Sequence, residues 1–246
     1  MKKLWVSAAL VPVLAAAPPS SGESSAAALA PAGVATSHDR SRTTVQRDGH
    51  PIVEGSGRVA RAARSARPFT AIELEGPADL EVRVGQRESI EVEADDNLLD
   101  RITTETDGAI LRIGTRGSFR TRMTPVVRVT VRELERLKVR GSGDVRLAGI
   151  DSDRFELVLQ GSGDIHAEGR AEAVSADLYG SGNMELARLS APSFDVSLYG
   201  TGNVRVHTTG TLSAAVFGTG RIEYSGEPRF IRRDVYGPGS IGRIGR

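Results

Sequence analysis

No cysteine occurs anywhere in the 246 residues. That absence excludes disulfides, thiolate metal sites, cysteine nucleophiles and a lipid anchor on an N-terminal cysteine. Any fold this chain adopts is therefore held by its core alone. Aromatic residues are few, with 6 Phe, 4 Tyr and 1 Trp. Neither sign of charge dominates, since the formal net charge is +1, so no general field draws the chain toward nucleic acid. Beyond the N-terminal region there is no long apolar run, and no stretch keeps a helical period for ten residues. What is plentiful is glycine, 28 residues, set among Val, Ile and Leu. Tight turns between short strands are the expected use of such a composition. With 39% hydrophobic and 26% charged residues the chain is globular in composition, and its length suits one large all-β domain or two small ones.

The N-terminus has the layout of a secretory signal: Lys2 and Lys3, then the apolar run Leu4 to Ala17. We expect a signal peptide within residues 1–30. Cleavage after Ala17 or Ala30 would put Pro18 or Pro31 next to the cut, and cutting within Ala26 to Ala28 is the alternative; a retained N-terminal anchor is the competing reading. Residues 31–51 lack hydrophobic periodicity and are expected to be a disordered linker. Arg40, Arg42, Arg47, Arg58, Arg61, Arg64 and Arg67 make the approach to the domain basic, a run that is either solvated or in contact with anionic lipid or polysaccharide.

From Phe69 onward apolar and charged residues alternate in short runs such as Leu80-Glu81-Val82-Arg83-Val84, the pattern of half-buried strands. The second half repeats. Gly-Ser-Gly starts at Gly141, Gly161 and Gly180, Gly-Thr-Gly at Gly200 and Gly218, and Gly-Pro-Gly at Gly237. Apolar residues stand two, four and six positions before the triplets, as in Phe155, Leu157 and Leu159, and an Asp or Asn usually follows each one. A spacing of 18 to 20 residues with this frame predicts stacked coils: a right-handed parallel β-helix over residues 52–246. Arg233 breaks the frame, standing four residues before Gly237 where other circuits are apolar, which suits a terminal circuit. Turn spacing favours continuation of the same solenoid through residues 69–131.

The entry Gly55-Ser56-Gly57, the Phe69-x-x-Ile72 strand, Asp96-Asn97-Leu98 and Leu137-x-Val139-x-Gly141-Ser142-Gly143-Asp144 resemble the head GIN domain family. Its members are described as candidate auto-transporter adhesins and are otherwise of unknown function. The resemblance runs from about Val53 to the C-terminus and implies a β-helical domain outside the cytoplasm, with no catalytic residues to carry over.

Two columns of residues are candidates for chemistry. Asp144, Asp164, Asn183 and Asn203 follow successive triplets. They are expected as a structural turn ladder that hydrogen-bonds backbone N–H groups, with calcium binding or glycoside chemistry by Asp144 and Asp164 as the alternatives. Tyr179, Tyr199, Phe217 and Tyr236 immediately precede the triplets and should point outward as an aromatic ladder. That ladder either protects the sheet by stacking or binds a sugar chain or another subunit. His38, His50, His166 and His207 share no ligand spacing, the serines at 142, 162 and 181 have no histidine at a fixed offset, and no Walker or dinucleotide motif exists. The expectation is thus an exported, non-enzymatic envelope module, in the periplasm or at the cell surface, that needs no cofactor or metal. Its partner would be envelope polysaccharide or protein. A polysaccharide-processing enzyme and an oligomeric structural protein are the other readings.

Overall fold

The computed structural model describes residues 43–45 and 51–244. The expected signal peptide lies outside them. So does most of the expected linker, although Thr43–Val45 within it is a strand (β1) paired antiparallel with Pro51–Glu54 (β2). The remaining strands of the first half are β3 (Val59–Arg64), β4 (Ala71–Gly76), β5 (Asp79–Val84), β6 (Ser89–Asp95), β7 (Ile102–Asp107), β8 (Ile110–Thr115), β9 (Ser118–Arg120) and β10 (Val126–Val131). The second half contains β11 (Arg136–Gly141), two long strands β12 (Val145–Gly161) and β13 (Asp164–Gly180), then β14 (Asn183–Ser190) and β15 (Ser193–Gly200). It ends with β16 (Asn203–His207), β17 (Thr211–Gly218), β18 (Arg221–Ser225), β19 (Phe230–Tyr236) and β20 (Ser240–Arg243). A single 3-10 turn, Leu99–Arg101, is the only helical segment among the described residues.

The strands stack in parallel as a β-solenoid with two long walls. In the first wall β4, β11, the end of β12, the end of β13, β15, β17 and β19 follow one another, each in register with the next up to its corner. In the second wall β5, the start of β12, the start of β13, β14, β16, β18 and β20 follow one another likewise, with register shifts between Leu147 and Ile150 and between His166 and Glu168. The alternating apolar residues point between the walls and are buried: Phe155, Leu157 and Leu159, for example, belong to one hydrophobic core with Val145 and Ile165. Stacking is what buries them, because one circuit alone has too little inward surface to exclude water.

The corners explain the glycines. Gly76, Gly141, Gly161, Gly180, Gly200, Gly218 and Gly237 all have positive φ, between 115° and 151°. A Cβ built on Gly161 would also overlap the Gly141 carbonyl oxygen one coil below, and one on Gly163 would overlap the Gly143 oxygen. In the Gly-x-Gly corners from Gly141 onward both glycines are thus needed, the first for conformation and close approach, the second for close approach alone.

Residues 69–131 continue the solenoid, but out of chain order. β8 and β10 form a coil beneath β4 and β5, so the coil that comes later in sequence lies further from β11. β6 then runs antiparallel beside β10, β3 antiparallel beside β6, and β7 antiparallel beside β8. These three strands close the first end of the stack. Clasping them is the Gly55–Gly57 entry: buried Asp95 accepts from Gly57 N at 2.9 Å and Thr121 Oγ1 at 2.6 Å, while Asn97 bonds both Ser56 N and Glu54 O. At the other end Arg233 does not cover the last coil, whose inward Ile231 and Val235 remain exposed among the described residues.

Candidate binding surface on the first wall

The outer face of the first wall is set by strand alternation. Residues one position before each corner point away from the core, and parallel register stacks them in a column. From the capped end upward that column reads Glu75, Arg140, Gln160, Tyr179, Tyr199, Phe217, Tyr236. Its lower half is polar and mutually bonded: Arg140 donates to Glu75 at 2.6 Å and to Gln160 at 3.1 Å. Its upper half is the aromatic ladder. Ring centroids are 4.8, 4.6 and 4.8 Å apart, with planes within 5° of parallel. Tyr179, Tyr199 and Tyr236 are 41%, 38% and 60% exposed, which makes this the most aromatic exposed strip on the described surface.

The stacking sets what the strip can offer. Each ring covers the face of the next, so edges and tyrosine hydroxyls face outward; only the upper face of Tyr236 lacks a ring above it. Beside the ladder the next outward column becomes small and acidic: Asp177, Ser197 and Ala215 stand next to Tyr179, Tyr199 and Phe217. Burial against this wall pushes the Asp177 carboxyl above the usual aspartate range, and the nearby Asp195 and Glu156 charges add to that rise against a hydrogen bond from Ser197. The Tyr179 hydroxyl is raised too, first by burial and then by the Asp177 and Tyr199 charges.

The turn ladder lies at the start of the second wall and is occupied with backbone. Asp144 Oδ1 accepts from Asp164 N at 3.0 Å, and Asp164 Oδ1 accepts from Asn183 N at 3.1 Å and Asn183 Nδ2 at 2.8 Å. Asn203 Nδ2 in turn donates to Asn183 Oδ1 at 3.0 Å. The ladder has a lower rung that the sequence frame hides: Asp79 Oδ1 accepts from Asp144 N at 2.8 Å. Its corner reads Gly76-Pro77-Ala78 instead of Gly-x-Gly, but the three-residue step from Gly76 to Asp79 matches that from Gly141 to Asp144. Among the described residues no three Asp, Glu or His side chains gather as metal ligands.

The outer face of the second wall carries a charge ladder: Glu185, Arg205 and Glu223 recur at the coil spacing, whereas Arg128 meets Glu81 and Glu93 from segments that the repeat does not connect. Arg128 donates to Glu81 at 3.1 Å and to Glu93 at 2.7 Å, and Arg205 bridges Glu223 at 2.8 Å and Glu185 at 3.3 Å. The Arg128 hydrogen bond holds the Glu93 carboxyl below its ordinary range. A shallow groove of about 790 Å³ runs along this face past Arg146 and His166. Its carboxylates Glu81, Glu91, Glu168 and Glu185 each lie within ion-pair distance of an arginine.

Residues 68–228 match the family model described as "Putative auto-transporter adhesin, head GIN domain". Solved structures share the fold. A structure titled a putative adhesin from Bacteroides fragilis is 21% identical, covers 78% of this chain and 99% of its own, and superposes with a TM-score of 0.66. One titled a putative adhesin from Parabacteroides merdae is 18% identical, with 79% and 99% coverage and a TM-score of 0.55. A third, titled a putative lipid binding protein from Parabacteroides distasonis, is 22% identical, with 79% and 100% coverage and a TM-score of 0.55. No curated protein matches.

Proposed function

Because the family match spans more than half of the chain, which therefore belongs to the head GIN domain family, we propose that it is an exported, non-enzymatic binding module of the cell envelope. The observation that carries this reading is the exposed aromatic ladder on a rigid wall. Its contact is one tyrosine or phenylalanine per coil, at the strand spacing, so the ligand is an extended envelope polymer, a polysaccharide or a stretched protein segment, lying along the solenoid axis. Hydroxyls of Tyr179, Tyr199 and Tyr236 supply hydrogen bonds, and ring edges supply apolar contact. Rigidity lowers the ordering cost of such binding, since the rungs are already aligned before the ligand arrives. Export rests on the Lys2-Lys3 start and the Leu4 to Ala17 run. The non-enzymatic reading rests on the ion-paired or backbone-bonded state of the clustered carboxylates.

The test is a glycan array and a cell-wall pull-down with the purified protein, alongside its Tyr179→Ser/Tyr199→Ser double variant. Binding that falls at least tenfold in the double variant, with far-UV circular dichroism unchanged, supports the ladder as the contact. Unchanged binding by that variant overturns it. Release of sugars from acidic polysaccharides overturns the non-enzymatic reading.

A further inference from the structure

The two ends of the solenoid differ. Antiparallel strands β3, β6 and β7 close the first end, whereas the last coil, β19 and β20, has neighbours on one side only among the described residues. The free side of β19 presents a row of unpaired N–H and C=O groups, together with Phe230 at 72%, Ile231 at 38% and Val235 at 44% exposure. Register with β17 fixes the side each residue takes. Ile231, Arg233 and Val235 lie above the buried Leu212, Ala214 and Val216, so all three occupy inward positions. Arg233 thus places a cation over the core between two aliphatic residues, and no carboxylate among the described residues forms an ion pair with it.

We propose that this end docks an extended polypeptide strand that carries a carboxylate opposite Arg233 and an aliphatic residue two positions to either side. Charge complementarity selects that occupant. A strand laid over β19 turns the Arg233 position into an interior one, where an unpaired guanidinium is costly and an Asp or Glu forms a charge-assisted, bidentate pair. A second copy of this chain fails the same criterion. Two β19 strands meeting antiparallel about a twofold at Arg233 match well elsewhere, with Phe230 against Tyr236, Ile231 against Val235 and Arg232 against Asp234. At the centre, however, Arg233 faces Arg233, two like charges turned into one core. Sliding the register by two residues buries each Arg233 against an aliphatic residue instead. The incoming strand also lengthens the first wall, adding a rung above Tyr236, yet its recognition does not depend on the aromatic ladder.

The probe is a labelled synthetic peptide with the sequence of residues 211–225, one whole coil, in which Ala214 is replaced (Ala214→Asp). Controls are the unchanged peptide and the Ala214→Lys peptide. Fluorescence anisotropy with the full chain should show saturable binding of the Asp peptide at least tenfold tighter than either control. In the Arg233→Glu variant the preference should reverse in favour of the Lys peptide, while Tyr179→Ser/Tyr199→Ser should leave it unchanged. Equal affinity of the three peptides, or no binding by a chain folded by circular dichroism, overturns the proposal. So does a wild-type dimer in light scattering that the Ile231→Asp variant dissolves, because the occupant is then a second copy.

Discussion

At the residue scale, the corner glycines and Asp177 are the most informative positions. Gly161 has φ 151° and a Cβ on it would overlap the Gly141 oxygen, whereas Gly57 has φ 76° and open space around it. Gly161→Ala should therefore add a steric cost to the conformational one, losing about 3 kcal/mol or more, against about 1 kcal/mol for Gly57→Ala. Urea denaturation of the two variants separates the terms. Asp177 gives a pH signature. Its folded-state pKa is raised by burial, so the folded state binds the proton more tightly and the charged form opposes folding. The penalty is complete above the raised value and is relieved as pH falls toward the ordinary value of 3.8. Asp177→Asn keeps a partner for Ser197 and should raise the melting temperature at neutral pH while flattening its rise on mild acidification. Glu93 works in the opposite sense: its pKa is lowered by Arg128, so its contribution is present above the ordinary 4.5 and is lost as pH falls below it.

At the element scale, the Gly-x-Gly frame made β11 to β20 legible, because each corner residue is dictated by stacking and leaves its mark every 18 to 20 residues. The aromatic column was legible for the same reason, since register carries Tyr179 over to Tyr199. The strands before Gly141 kept their alternation but hid their partners. Alternation states which side of Leu80-Glu81-Val82 is buried and is silent on whether the neighbour runs parallel, as β10 does, or antiparallel, as β6 does beside β10. Edge strands behave differently from central ones. β19 and β20 each hold one neighbouring strand, while the end of β13 lies between β12 and β15. Hydrogen exchange should be fastest in residues 230–243 and slowest in 156–161 and 173–180. Uniform exchange along the stack would show that the last coil is held by something beyond its single neighbour.

At the scale of the whole molecule, a stack that among its described residues is closed at one end and open at the other has a direction, and its two proposed contacts serve different geometries. The first wall offers a strip along the axis, and the open end offers a single strand site across it. The aromatic ladder has a further consequence in optics. Three of the four tyrosines stand in the stack, Tyr224 is the fourth, and the only tryptophan is Trp5 near the N-terminus. Tyrosine emission from the described coils consequently has no indole among the described residues to drain it. Parallel rings less than 5 Å apart couple their transitions, so the near-ultraviolet dichroism of this protein carries a contribution from the four stacked rungs that needs no added dye.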